Sequence, residues 1–307
     1  MVHSVRLAHF PRHVAVGLLL FIGTTFATNH IAARIAFDDQ AGLLLAIMCR
    51  SGLSVLALAG IVLWQQQSLR LSVATRRWQL VLGLLIALQS LCLYSAVARI
   101  PVALALLIGN LFPILLALLT WALGGGPPTR RASLLMGIIV IGLVFVLDLP
   151  ARLSGGGLDM GPNWVPGILF AFGGASFFAV GLWITEHKLS TMPGSVRSLY
   201  TIVIVFCSMV VAGAAGVVPG GMNLPASHAG WLALAALSLL YATAFSVLFI
   251  SVPRLDMARN APVMNIEPVA SLILGWLILD QVFNGRQLLG GAIVLACIVA
   301  LAYSKKR

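Results

Sequence analysis

Apolar runs of membrane length, separated by short polar breaks, fill the chain from about residue 13 to residue 303. Ten can be drawn, at about 13–36, 41–64, 78–98, 102–123, 132–148, 164–187, 197–218, 230–252, 258–279 and 286–303. Each is close to the roughly 20 residues a helix needs to cross a bilayer. The breaks carry turn and helix-stop residues: Asp38-Asp39-Gln40, Gly124 to Pro128, Ser154 to Pro162, and Pro219 to Pro225. No loop is long enough for a soluble domain. The runs are continuous rather than alternating, which argues for helices and against a β-barrel. The pattern predicts an all-α polytopic membrane protein with ten transmembrane helices.

One stretch occurs twice. Arg99–Trp121 reads RIPVALALLIGNLFPILLALLTW, and a related frame runs from Arg254 to Asp280. Arg99 and Arg254, Asn110 and Asn265, Pro113 and Pro268, Trp121 and Trp276, and Arg131 and Arg286 all stand 155 positions apart. The offset maps the fourth run onto the ninth and the fifth onto the tenth, so each half holds five spans. An odd number reverses every helix of the second copy. The halves, 13–150 and 160–303, are therefore expected to be inverted repeats, a pattern typical of secondary transporters.

Composition narrows the class. The chain is 60% hydrophobic and 9% charged, against roughly 25% charged in soluble domains, which excludes a water-soluble fold. A net charge of +11 would suggest nucleic acid in a soluble protein. Here it is expected to orient helices. With the N-terminus in the cytoplasm, 14 of the 19 Lys and Arg residues fall on the inside and 3 on the outside. Both short termini are thus predicted to be cytoplasmic. Arg6 and Arg12 ahead of the first run resemble a signal peptide, but the run continues past Ala27 and is read as a retained span. Cys49, Cys92, Cys207 and Cys297 lie inside apolar runs without metal-ligand spacing.

Small residues predict how helices pack. Gly167, Ala171, Ala175 and Ala179 form one ridge, and Ala292, Ala296 and Ala300 another. In lipid such ridges let backbones approach closely.

A charge at mid-bilayer costs on the order of 2.5–3.5 kcal/mol on insertion scales, so polar residues within spans are the functional candidates. Asn110 and Asn265 each stand three residues before a proline. Those prolines would free the carbonyls of Gly109 and Met264. The two amides could hold substrate, patch the kink or bond a neighbouring helix. Glu267 is the one carboxylate well inside a run, where the first copy has Phe112. Three roles compete for it: binding an ammonium group, carrying a coupled proton, or pairing with Arg50, the one arginine near mid-span. Thr24, Thr25, Thr28, Asn29 and His30 make the first span polar and are expected to line a cavity, although Thr hydroxyls also bond their own helix. Arg34 beyond them is expected to reach outward to lipid headgroups. Gln89, Ser90, Tyr94 and Ser95 in the third span, and Tyr241, Thr243 and Ser246 in the eighth, add polar groups. Trp183 and Phe21 are candidate apolar walls. The expected substrate-binding set is Thr24, Thr28, Asn29, His30, Gln89, Tyr94, Asn110, Trp183, Tyr241, Ser246, Asn265 and Glu267.

The repeat carries a resemblance. Ala103–Trp121 with Pro113, and Ala258–Trp276 with Pro268, resemble the EamA-type repeat of the drug/metabolite transporter superfamily. The resemblance covers essentially the whole chain, and the whole looks most similar to the bacterial aromatic amino-acid exporters. It departs from the family where many repeats have Leu-Gly-Glu after the Trp helix. Here Leu123-Gly124-Gly125 and Leu279-Asp280-Gln281 stand instead. The resemblance implies export of amino acids or related metabolites across a bacterial inner membrane by alternating access. Its partners are then a small-molecule substrate and the lipid bilayer. No cofactor, metal or nucleic acid is expected, and a monomer suffices.

Other classes fit less well. Phosphorylated or nucleotide sugars would call for several buried cations, and no Lys lies inside a span. A multidrug cation exporter of the small four-helix type has an acid in its first helix, which this first span lacks. An enzyme would need a nucleophile–base set, a metal cluster or a P-loop, and none is found. Nor is there a filter-like loop for a channel.

Overall fold

The computed structural model describes residues 10–127, 130–146, 162–216, 218, 221–251, 255, 263 and 266–302. Asn265, its neighbour Met264 and the first residues of the ninth predicted span lie outside the described residues. The described chain is all-helical. In order it forms α1 (Arg12–Asp38), α2 (Leu43–Trp64), α3 (Val73–Val97), α4 (Val102–Gly109) and α5 (Phe112–Ala122). Then come α6 (Arg130–Val146), α7 (Trp164–Lys188), α8 (Gly194–Ala214), α9 (His228–Ser251), α10 (Ile266–Leu279) and α11 (Gly285–Ala302). Seven apolar helical stretches among the described residues are long enough to cross a membrane, one of them running through α4 and α5.

Local chemistry sets the ends. Ser72 caps α3 by accepting from the Thr75 N–H at 3.2 Å. The fourth predicted span divides because Pro113 has no N–H to bond the carbonyl four residues back. α4 therefore stops at Gly109 and α5 starts anew at Phe112. α5 then ends at Ala122, with Gly124 just beyond it at φ 91°, and α10 ends before Asp280 at φ 50°. Both sit in the left-handed region, which glycine enters freely and aspartate tolerates. The two unlike sequences after the Trp helices thus close their helices in the same sense.

The packing repeats across the chain. α3 lies along α7, and α1 along α9. α2 meets α8 and α9, and α3 also meets α8. α10 packs on α1 and α4, while α4 and α5 pack on α7. α6 and α11 pack on each other. Exchanging α1–α6 with α7–α11 in order, with α4 and α5 counted together, returns the same set of pairs. Apolar all round, α4 is enclosed: Val102 and Leu104 to Ile108 are buried with Ile139, Trp164, Ala171 and Val294.

The α7 ridge packs as expected. Ala171, Ala175 and Ala179 are buried, and a Cβ on Gly167 would collide with Ile100 of the α3–α4 corner. The second ridge does not. Ala292 and Ala296 are exposed. Instead Gly142 of α6 comes so close to α11 that a Cβ there would lie 3.1 Å from the Gly290 carbonyl and 2.8 Å from Val294. The glycine on the partner helix, not the alanines on α11, selects the contact face.

Both ends of the bundle are pinned between the halves. At one end Asp39 accepts the Ser227 N–H at 2.8 Å, and Gly42 donates to the Asn223 carbonyl at 2.9 Å. At the other, Ser195 donates to Gln65 at 2.9 Å and Tyr200 to the Leu69 carbonyl at 2.7 Å.

Two outcomes test this packing. A Cβ on Gly83 of α3 would lie 2.5 Å from Ile204 of α8, whereas one on Gly137 of α6 meets nothing within 4 Å. Gly83→Val is expected to cost about 1–3 kcal/mol, read as a lower melting temperature in detergent, while Gly137→Ala causes no loss. The Ser227 backbone N–H beside Asp39 holds its carboxyl below the ordinary value. A depressed carboxyl adds stability that is present above its unfolded pKa of about 4 and is lost as pH falls through the lower folded value. Asp39→Asn should therefore flatten the acid limb of the melting-temperature profile below about pH 4.

Candidate functional site

Five helices meet at one buried polar cluster: α1, α2 and α3 from the first half, α9 and α10 from the second. Asn29 of α1, fully buried, donates its amide to the Leu237 carbonyl of α9 at 2.5 Å. Its amide oxygen lies 3.4 Å from the donating hydroxyl of Tyr94 on α3. One asparagine thus bridges three helices, with both ends of its amide used.

Arg50 of α2 stands beside it, 4% exposed. Its Cζ lies 4.5 Å from the centre of the Tyr94 ring and 4.0 Å from that of Tyr241 on α9. A cation between two aromatic faces is attracted by both ring quadrupoles, by about 2 kcal/mol or more when desolvated. The Tyr94 ring is further held by Phe37 at 5.5 Å and by His30, edge-on, at 6.0 Å. Tyr241 is stacked on Phe245 at 5.4 Å and edge-on to Phe26 at 6.0 Å.

His30 links this cluster to α10. Its Nε2 is 3.4 Å from Glu267 Oε1, and its Nδ1 is buried with no hydrogen-bond partner. Of the three roles open to Glu267, the pair with Arg50 does not form: the Glu267 carboxylate faces an imidazole, and Arg50 faces two phenol rings. At the repeat-related crossing, where α5 meets α7, Phe112 packs edge-on to Phe178 at 4.8 Å.

The remaining sequence candidates divide. Thr25 and Thr28 donate to the carbonyls of Phe21 and Thr24, four residues back, so these hydroxyls serve their own helix. Thr24 and Phe21 are exposed on the bundle surface, so Phe21 does not wall the cluster. Arg34 does not reach out to headgroups; it bonds Asp38 at 2.9 Å and the Val97 carbonyl at 3.0 Å, tying α1 to α3. The Asn110 amide donates to the Leu106 carbonyl of its own helix at 2.8 Å, not to a carbonyl freed by Pro113. Asn265 lies outside the described residues. Gln89 is half-buried, with the Ser90 hydroxyl 3.5 Å from its Oε1. Ser246 is buried with its hydroxyl unpartnered. Trp183 is stacked on His187 at 4.7 Å and packs with Leu82 and Leu189. Leu82 is twelve residues from Tyr94 along α3, or about 18 Å at 1.5 Å per residue, so Trp183 stands apart from the cluster.

The aromatic environment of Arg50 was not readable from sequence. Its visible signal was a lone cation at mid-span; its partners come from helices far along the chain.

These features define a multi-pass helical membrane protein built from two related halves around a shared polar centre. A model of the EamA-like transporter family matches residues 13–148 and again 165–303. The chain belongs to the EamA-like transporter family, a family of membrane transporters of small metabolites within the drug/metabolite transporter superfamily, and not a family of enzymes. No curated protein matches the sequence. A solved structure titled only as the crystal structure of a protein is similar in fold. It shows a TM-score of 0.63 and 19% identity over 95% of this chain and 98% of that one.

The His30–Glu267 contact joins the halves and is open to a direct check. A double-mutant cycle of His30→Gln and Glu267→Gln, read by thermal unfolding at neutral pH, should give a coupling of about 0.5–3 kcal/mol. A coupling of zero would mean the two side chains do not interact.

Proposed function

We propose that the protein is a secondary transporter that exports amino acids, aromatic and other neutral ones, or related small metabolites across a bacterial inner membrane. Ten spans, arranged as two inverted five-helix repeats over 13–150 and 160–303, would alternate access to a central site, with both termini in the cytoplasm. The observation that carries this reading is the buried polar cluster itself. Residues of both halves build it, so a molecule bound there would sense any change in how the halves pack. The packing pairs that survive exchange of the halves support the same reading, because inverted halves can swap conformations.

Aromatic rings support the narrower proposal of an aromatic amino-acid exporter. Tyr94, Tyr241, Phe26 and Phe37 surround the polar groups, and ligand sites for such molecules combine apolar walls with few orienting polar contacts. Asn29, His30, Tyr94, Tyr241 and Glu267 are the proposed contacts. A second reading, export of a phosphorylated or nucleotide sugar, draws support from the buried guanidinium of Arg50.

Flux into proteoliposomes, with a panel of competitors and with or without a proton gradient, tests these readings. Saturable amino-acid flux without nucleotide is expected, and its absence across the panel would count against the amino-acid reading. Glu267→Gln should lower the initial rate about tenfold, the scale of 1.4 kcal/mol, in protein that its melting temperature shows to be folded at the assay temperature. Wild-type rates at every pH in that variant would remove Glu267 from the transport step.

A further inference from the structure

Arg50 places a guanidinium in the middle of the bundle, and among the described residues no carboxylate lies within 4 Å of it. The central acid is engaged elsewhere, Glu267 with His30 at 3.4 Å. What surrounds Arg50 instead is the two rings of Tyr94 and Tyr241, at 4.5 and 4.0 Å. Ring faces balance a charge, but they do not replace an oxygen acceptor for an N–H group. The Arg50 Nε is buried and has no hydrogen-bond partner. Buried charges in proteins are normally paired, and an orphaned donor inside a membrane protein is rarer still.

We propose that Arg50 is the receptor for an oxyanion carried by the transported molecule, the carboxylate in the case of an amino acid. The inference rests on the transporter reading above and adds which end of the substrate the site holds and by which side chain. The planar guanidinium offers N–H donors along its edge in a fork that matches the two oxygens of a carboxylate. The Tyr94 hydroxyl interacts with the guanidinium, but Nε is left without a partner, and the two rings supply no carboxylate. Tyr94 belongs to the first half and Tyr241 to the second, so an anion on Arg50 sits where both halves touch the same cation. Asn29 fixes Tyr94 from behind through its amide oxygen, which holds one wall of the receptor in place. Lysine in place of Arg50 would keep the charge and lose the fork.

The test uses the full chain in proteoliposomes, with counterflow of labelled phenylalanine. Competitors are 3-phenylpropionate, which keeps the carboxylate and lacks the amine, phenethylamine, which keeps the amine and lacks the carboxylate, and glucose 6-phosphate. Wild-type protein should be inhibited by the acid and not by the amine. Arg50→Lys and Arg50→Gln should each weaken inhibition by the acid about tenfold or more, the scale of losing a hydrogen bond to a charged group. Melting temperatures identify folded variants; if Arg50→Gln does not fold, Arg50→Lys carries the comparison. If neither folds, the wild-type competition decides by itself. Inhibition by the amine equal to that by the acid overturns the proposal, as does acid inhibition unchanged in a folded Arg50 variant. Wild-type protein that moves no amino acid but carries glucose 6-phosphate in an Arg50-dependent way would sink the amino-acid reading and uphold the oxyanion receptor. Carriage of it independent of Arg50 would sink both.

Discussion

Hydrocarbon offers no hydrogen bonds, so each polar atom buried in this bundle must find its partner within the protein. That requirement organises the structure at every scale. Serine and threonine hydroxyls along the helices turn back to carbonyls four residues earlier, as Ser51, Ser54, Thr120 and Thr185 do. Asn110 does the same where Pro113 interrupts its helix. Where a side chain has capacity beyond its own helix, it draws helices together: Asn29 reaches α9 and α3, and Gln79 of α3 reaches Thr201 of α8 at 2.8 Å. The hydrophobic effect does not favour one helix pairing over another in lipid, so these bonds and the close approaches at glycine and alanine choose the neighbours.

Among the described residues a few buried side-chain atoms lack a hydrogen-bond partner, the Gln79 and Gln281 amide oxygens and the Ser246 hydroxyl among them. Two more, His30 Nδ1 and Arg50 Nε, fall together at the centre of the molecule. They share one cluster, bounded by the same Tyr94 ring. Both stand on first-half helices, α1 and α2, and the second half reaches them through Glu267, which faces His30, and through the Tyr241 ring, which faces Arg50.

Much of the architecture was legible along the chain because it is encoded at short range. The apolar runs place the described helices, although the fourth divides at Pro113 and the start of the ninth lies outside the described residues, and the offset of 155 between Asn110–Pro113–Trp121 and Asn265–Pro268–Trp276 announces the repeat. The ridge ending in Ala179 was readable since small residues four apart share one helix face. Ala292 and Ala296 misled because the face a helix buries depends on its partner, and Gly142 drew in the opposite side of α11. The site was legible only in outline. Asn29, His30, Tyr94, Tyr241 and Glu267 do converge, while Trp183 packs elsewhere and Thr24 turns outward. Arg50 and Glu267 could be paired on paper as the two central charges. The fold gives them different neighbours, and only tertiary geometry makes that choice.

The unlike crossings of α10 on α1 and of α5 on α7 carry one more implication. A carrier made of two identical inverted halves would have mirror-equivalent forms of equal energy, with no preferred face when empty. Here one crossing is a phenylalanine pair, Phe112 on Phe178, and its counterpart is an imidazole against a carboxylate, His30 on Glu267. If the halves exchange conformations, an aromatic contact tightens on one side whenever an ionisable contact loosens on the other. The two forms then differ in energy. Such a carrier would rest in one orientation, and the bias would lie where the two crossings differ in an otherwise repeated frame, Phe112 with Phe178 on one side and Glu267 with His30 on the other.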